Sequence, residues 1–256
     1  LTKPDERPVK ILQYGEGNFL RGFVDYMVDI ANEKGVFNGN IVIIKPIPYG
    51  SLHLFEKQEC QYTVSLRGLE NGKPKVENRI IKSVTDALGA YEDYEAYMAY
   101  ARLDTLRFIV SNTTEAGIAY DDADSPDYKP PGSFPGKLTK FLYERFLHFK
   151  GDKDKGLIVL PCELIENNGQ TLKNYVIKLS IKWGLGKEFI GWLESSCVFC
   201  NTLVDRIIAN NCRLIRKPYV YFRKVVLLYL KSGERQQGPW NVECRVQNFK
   251  KIERIK

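Results

Sequence analysis

The chain has 256 residues, 44% hydrophobic and 27% charged, an ordinary globular composition with room for a sizeable core in one large or two small domains. No window approaches the roughly 18 consecutive apolar residues of a membrane span, and the first eight residues hold no apolar signal core, so the expected setting is cytoplasmic, without a membrane. The net charge of +7 suggests a nucleic-acid partner, but residues 211–256 carry 12 Lys and Arg against 3 Asp and Glu, leaving residues 1–210 at a net −2. The basicity belongs to the tail, and no nucleic acid is expected to bind the main body.

In chain order, residues 9–14 are a short apolar run ending at glycine, a buried strand. Residues 19–31 repeat apolar side chains at helical spacing: Phe19, Phe23, Met27 and Ile30, with Leu20, Val24 and Val28 alongside. Asn38-Gly39 breaks the chain, and Ile41-Val-Ile-Ile44 reads as a strand covered on both faces. This order is one βαβ unit. Gln61-Tyr-Thr-Val-Ser-Leu66 then alternates, Arg67-Gly-Leu-Glu-Asn-Gly72 turns, and residues 76–84 run extended, which predicts a β-hairpin. Residues 91–103 read as helix and 106–111 as strand. Residues 121–135 read as a loop rich in Asp, Pro and Ser, and 136–148 as an amphipathic helix. Residues 156–160 read as strand and 169–183 as helix. The alternation predicts an α/β fold of the Rossmann type, a mostly parallel doubly wound sheet with a hairpin insertion. The expected division is a dinucleotide-binding domain over residues 1–209 and an atypical basic tail over 210–256.

The first strand leads into Gly15-Glu-Gly17 and a helix. In a dinucleotide fold the first glycine makes the turn, and the second lets backbone approach a pyrophosphate at the helix N-terminus. The third glycine position holds Leu20, so the fingerprint is incomplete and an ordinary strand–helix turn stays open. Arg21 opposes the helix dipole, which phosphate binding or plain solvent exposure would explain. The second strand ends Ile44-Lys45-Pro46, where NAD sites carry an acid; an exposed lysine tolerates a 2′-phosphate, so NAD and NADP both stay open. Asn112-Thr-Thr-Glu115 and Pro161-Cys-Glu-Leu-Ile-Glu-Asn-Asn-Gly169 each follow a strand directly and are expected to converge on one sheet edge. Thr113 or Thr114 as the cap of a turn is the alternative.

Of six cysteines, among them Cys60 and Cys162, Cys197-Val-Phe-Cys200 has the spacing of a zinc half-site or redox pair, but Cys212, Cys244, His53 and His148 are not suitably paired to supply a second half. The pair reads as buried structural thiols, the histidines read as structural, and no metal is expected.

Together, Gly15-Glu-Gly-Asn-Phe-Leu-Arg21, Ser111-Asn-Thr-Thr-Glu-Ala-Gly117, the segment at 161–169 and Asn201-Thr-Leu-Val-Asp-Arg-Ile207 resemble the mannitol dehydrogenase family of polyol-specific long-chain dehydrogenases. The likeness covers residues 9–209. Ser65-Leu-Arg-Gly-Leu-Glu-Asn-Gly72 and Cys162-Glu-Leu-Ile-Glu166 are nearest to its hexuronate branch. The resemblance implies an NAD-dependent enzyme that moves a hydride between D-tagaturonate and D-altronate, small sugar acids. Fructuronate reductase, a mannitol-type dehydrogenase and a non-catalytic, basic-tailed binding protein remain alternatives. It also implies cofactor contacts at Gly15, Gly17, Asn18, Phe19 and Arg21, with Asn112 and Thr113 near the nicotinamide and Asn168 and Asp205 bordering the substrate. Family members carry their catalytic lysine in a helical second domain, and no lysine of 211–256 matches it, so the catalytic group is unassigned. The tail is expected to be a truncated or frame-shifted remnant of that domain.

Overall fold

A computed structural model describes residues 6–70, 73–114, 117–204 and 208. The basic tail, Glu115 and Asp205 lie outside the described residues.

Six parallel strands make the central sheet. They are β1 (Val9–Tyr14), β2 (Asn40–Lys45), β5 (Val84–Gly89), β6 (Phe108–Ser111), β7 (Ile158–Pro161) and β8 (Val198–Phe199), in spatial order β5-β2-β1-β6-β7-β8. The chain winds outward from β1 to β2 and β5, then returns to place β6 on the other side of β1. The order therefore reverses between β1 and β6, the point where folds of this topology form a ligand crevice beyond the strand carboxyl ends. A separate antiparallel sheet pairs β3 (Tyr62–Glu70) with β4 (Lys73–Ile81).

Alternation sorts the strand side chains onto two faces. Leu12, Tyr14, Val42, Ile44, Ile109 and Val159 face α3 (Tyr94–Ala99), α4 (Phe134–His148), α5 (Asn168–Lys182) and α6 (Lys187–Ser196). Ile11, Ile41, Ile43 and Val110 face Leu20 and Phe23 of α1 (residues 18–33), together with Leu52 and Phe55 around α2 (His53–Lys57). All six residues of β2 are buried, as a strand covered on both faces requires. Each Leu or Ile so buried contributes roughly 1.5–3 kcal/mol.

Residues 76–84 do not form the single extended arm that their sequence predicts. Instead β4 stops at Ile81, and after Lys82-Ser83 the chain enters β5 at the sheet edge. The Val84-Thr-Asp-Ala-Leu-Gly89 segment mixes polar with apolar residues because an edge strand is half exposed. The helix α6 and the two-residue strand β8 also have no counterpart among the predicted elements.

Helix α1 departs from the expected apolar stripe. It opens at Asn18–Leu20, passes through a π-helical turn over Arg21–Asp25, and continues through Tyr26–Glu33. Its buried positions are Leu20, Gly22 and Phe23, then Asp25, Asp29 and Asn32; Met27 and Ile30 are only half-buried. The buried polar side fastens the hairpin, which is marginal alone. Tyr62 Oη donates to Asp25 Oδ2 at 2.5 Å, and Arg79 Nε to Asp29 Oδ1 at 2.6 Å. The Lys82 amide donates to Asp29 Oδ2 at 2.7 Å, while Asn32 exchanges two hydrogen bonds with the Gly39 backbone.

On the opposite face Arg145 of α4 is fully buried. Its guanidinium donates to four backbone carbonyls, those of Ala101, Leu103, Leu106 and Lys155, at 2.6–3.2 Å. Burial pulls its pKa down to about 10, so it stays charged at neutral pH. Among the described residues no helix is long and apolar enough to cross a membrane.

Candidate functional site

The site lies where β1 and β6 end. Gly15 leaves β1 at φ +118°, and a β-carbon there would stand 2.9 Å from the Asn112 carbonyl oxygen, so only glycine fits. Its amide still joins the ladder, donating to the Ile44 carbonyl at 3.0 Å. Gly17 caps α1 with ordinary extended dihedrals, and a β-carbon there would meet nothing within 4 Å. No side chain caps the first turn. An open backbone cradle at a helix N-terminus suits an anion. Leu20, in the place of the third glycine, is buried with Ile11, Val110 and Cys162 and fills the wedge between helix and sheet.

Arg21 is half-buried. One Nη bonds the Asn18 side-chain oxygen, and the guanidinium carbon lies 5.5 Å and 5.6 Å from the Phe55 and Tyr62 ring centres. These interior partners explain a cation in the first helical turn better than plain solvent exposure does. Beneath it, Gln13 Nε2 donates to the Gly15 carbonyl at 3.2 Å, and Asp25 is fully buried. Burial pushes the Asp25 pKa up to about 7, although hydrogen bonds from Tyr62 and Gln13 and the Arg21 charge pull it down. A carboxyl raised in the folded state keeps its proton there after the unfolded chain has lost it. Its contribution is therefore complete below about pH 4 and is lost as pH rises through about 7. Asp25→Asn is expected to flatten that slope: between about pH 5 and pH 8 the wild-type melting temperature should fall relative to the variant's. Parallel pH profiles would show that Asp25 does not titrate in this range.

Across the crevice the two polar clusters meet, as expected. Asn112 Nδ2 donates to the Cys162 carbonyl at 2.7 Å. The hub is Glu163, 2% exposed. Its carboxylate accepts the Ser111 hydroxyl at 3.1 Å and both the amide and hydroxyl of Thr113 at 2.9 Å. Burial raises its pKa and these bonds oppose the rise. Thr113 thus bonds Glu163, while the local turn is closed by backbone, Gly117 N–H to the Thr114 carbonyl at 3.0 Å. Sequence reasoning used the Cys162-Glu-Leu-Ile-Glu166 segment without singling out Glu163; an acid directly after a buried strand was the available signal.

Asn168 is also fully buried. Its Nδ2 faces the carbonyls of Pro161, Glu163 and Thr202 at 3.0–3.2 Å, and its Oδ1 accepts the amides of Gly169 and Thr202. It ties the end of β7 to the chain leaving β8. Gly169 is required beside it, because a β-carbon would stand 2.2 Å from the Cys200 carbonyl oxygen.

Lys45 corrects an expectation. It is 1% exposed, not an exposed base at the strand end. Cys197 and Cys200 are buried on either side of β8, and burial raises the Cys197 thiol to about 12. His53 and His148 are exposed. Among the described residues no cluster of His, Cys, Asp or Glu could hold a metal ion.

This architecture has known counterparts. The sequence matches the family described as the mannitol dehydrogenase Rossmann domain over residues 9–244. The altronate oxidoreductase of Bacillus subtilis is 45% identical over 201 residues, 78% of this chain and 42% of that protein. The altronate oxidoreductase of Yersinia enterocolitica is 47% identical over 204 residues, 79% of this chain and 42% of that protein. The chain thus spans about four-tenths of the length of these relatives. Among solved structures, mannitol 2-dehydrogenase of Pseudomonas fluorescens in ternary complex with NAD and D-mannitol superposes with a TM-score of 0.66 at 20% identity, covering 79% of this chain and 42% of that one. A substrate-free D-sorbitol dehydrogenase superposes at 0.61 with 22% identity, covering 77% and 43%. By its fold, its glycine turn and its sequence, the chain belongs to the mannitol dehydrogenase family and comprises that family's Rossmann domain.

Proposed function

We propose that this chain is the cofactor-binding part of an NAD-dependent oxidoreductase that interconverts D-tagaturonate and D-altronate. The observation that carries this reading is the glycine turn: Gly15 closed against Asn112, with Gly17 open at the head of α1. The relatives named altronate oxidoreductase, at 45–47% identity, support the substrate, and the neighbour solved with NAD supports the cofactor.

Gly15, Gly17, Asn18, Phe19 and Arg21 would hold the pyrophosphate. Asn112 and Thr113, fixed through Cys162 and Glu163, would form the nicotinamide rim. The bound nicotinamide would supply the hydride for a carbonyl carbon. Asn168 acts here as a positioning residue, its amide being committed to backbone, and Asp205 would border the substrate. The acid that protonates the substrate oxygen is assigned to no residue. We place the cofactor domain at residues 1–209, with a sugar acid as substrate and a cytoplasmic setting.

Titration of NADH fluorescence with the wild type and Gly17→Val tests the reading. A β-carbon at this position meets nothing within 4 Å, so the melting temperature should hold. Its side chain stands in the proposed anion cradle, so NADH should bind at least about tenfold more weakly. Equal affinity would take the pyrophosphate away from this turn, and no wild-type binding at millimolar NADH would overturn the proposal.

A further inference from the structure

We propose that Glu92, reaching from the β5–α3 turn to the end of β2, selects NAD against NADP. The inference rests on the cofactor reading above and adds the residue that sets its specificity.

In dinucleotide folds an acid at the end of the second strand takes the adenosine ribose hydroxyls, whereas a base there accommodates a 2′-phosphate. Here β2 ends in Lys45, which by sequence alone tolerates the phosphate. The structure removes that base from use. The Lys45 ammonium has three donors. It directs them at the Tyr49 carbonyl at 3.3 Å, the Gly50 carbonyl at 3.0 Å and the Glu92 carboxylate. Its side chain is 2% exposed and that of Glu92 is 51% exposed. A carboxylate, not an ammonium, is therefore the charge that β2 shows to solvent at its carboxyl end.

The neighbouring strand is built to admit it. A β-carbon on Gly89, the last residue of β5, would stand 1.7 Å from Glu92 Oε2. Glycine at 89 lets the carboxylate lie over the ends of β2 and β5 together. A ribose diol can donate hydrogen bonds to such a carboxylate. A 2′-phosphate brings like charge against it and finds no free donor on Lys45, which gives discrimination by repulsion.

The test uses the chain as it stands, with NADH and NADPH titrated separately by fluorescence against wild type and Glu92→Gln. The glutamine keeps an acceptor for Lys45 and loses the charge, so the melting temperature reports whether the fold is kept. Wild type should bind NADH at least about a hundredfold more tightly than NADPH, and Glu92→Gln should narrow that ratio to within about tenfold, weakening NADH and strengthening NADPH. An unchanged ratio in a folded variant, or a wild type that prefers NADPH, would overturn the role of Glu92 while leaving dinucleotide binding intact. Failure of wild type to bind either one would remove the cofactor reading and this inference with it.

Discussion

Arg145→Met is expected to cost about 3–5 kcal/mol of stability, because it takes the donor away from several buried backbone carbonyls at once. The methionine fills much of the volume but leaves four carbonyls, on Ala101, Leu103, Leu106 and Lys155, without their donor. Buried acceptors left unpaired cost about 1–3 kcal/mol each; the Leu103 carbonyl keeps the Leu106 amide, and relaxation toward water recovers part of the rest. The loss is a large share of a typical domain's 5–15 kcal/mol, so the urea midpoint should drop severely. Arg145→Lys keeps the charge but concentrates its donors on one nitrogen, so it cannot span four carbonyls from two separate segments. It should fall between wild type and methionine. A methionine variant within about 1 kcal/mol of wild type would show that the carbonyls find other donors.

Glu163→Leu is expected to damage both stability and the site. It strands the Thr113 amide and the Ser111 and Thr113 hydroxyls that meet on the carboxylate. The hydroxyls can turn to other acceptors, but the amide cannot, so a cost of about 2–3 kcal/mol follows. Because the same bonds fix the crevice rim beside Asn112, NADH should also bind about tenfold more weakly. Glu163→Gln retains an acceptor for Thr113 and can donate to Ser111, and should restore most of both. A leucine variant that loses stability but binds NADH normally would confine Glu163 to a structural role.

Most of the parallel sheet was legible because its strands are short apolar runs bounded by turns. β2 announces itself by Ile41-Val-Ile-Ile44, and its burial on both faces explains the run. β5 was not legible, since its half-exposed Thr85 and Asp86 look like the continuation of a hairpin arm. Helix α1 was found, but its buried side was misread. Asp25 and Asp29 resemble a solvent face until the fold supplies Tyr62, Arg79 and the Lys82 amide as their partners, and Asn32 until it meets the Gly39 backbone. The same limit applies at the site. Gly15 and Gly17 were visible by spacing, whereas Glu163 and the Lys45–Glu92 pair owe their importance to strands distant in sequence. A lysine at a strand end reads as a free base, and only the tertiary arrangement shows that its charge is already taken.

The π turn over Arg21–Asp25 sets the rotational phase of α1. An α-helix advances about 100° per residue, so one additional residue in a single turn rotates everything after it without moving anything before it. The head of the helix can thus keep its register with the glycine turn while Asp25, Asp29 and Asn32 swing toward the hairpin and Gly39. Deleting one residue from this turn would regularise the helix and turn those three side chains away from their partners. The irregularity works as an angular coupling between the glycine turn at one end of α1 and the hairpin clasp along its flank.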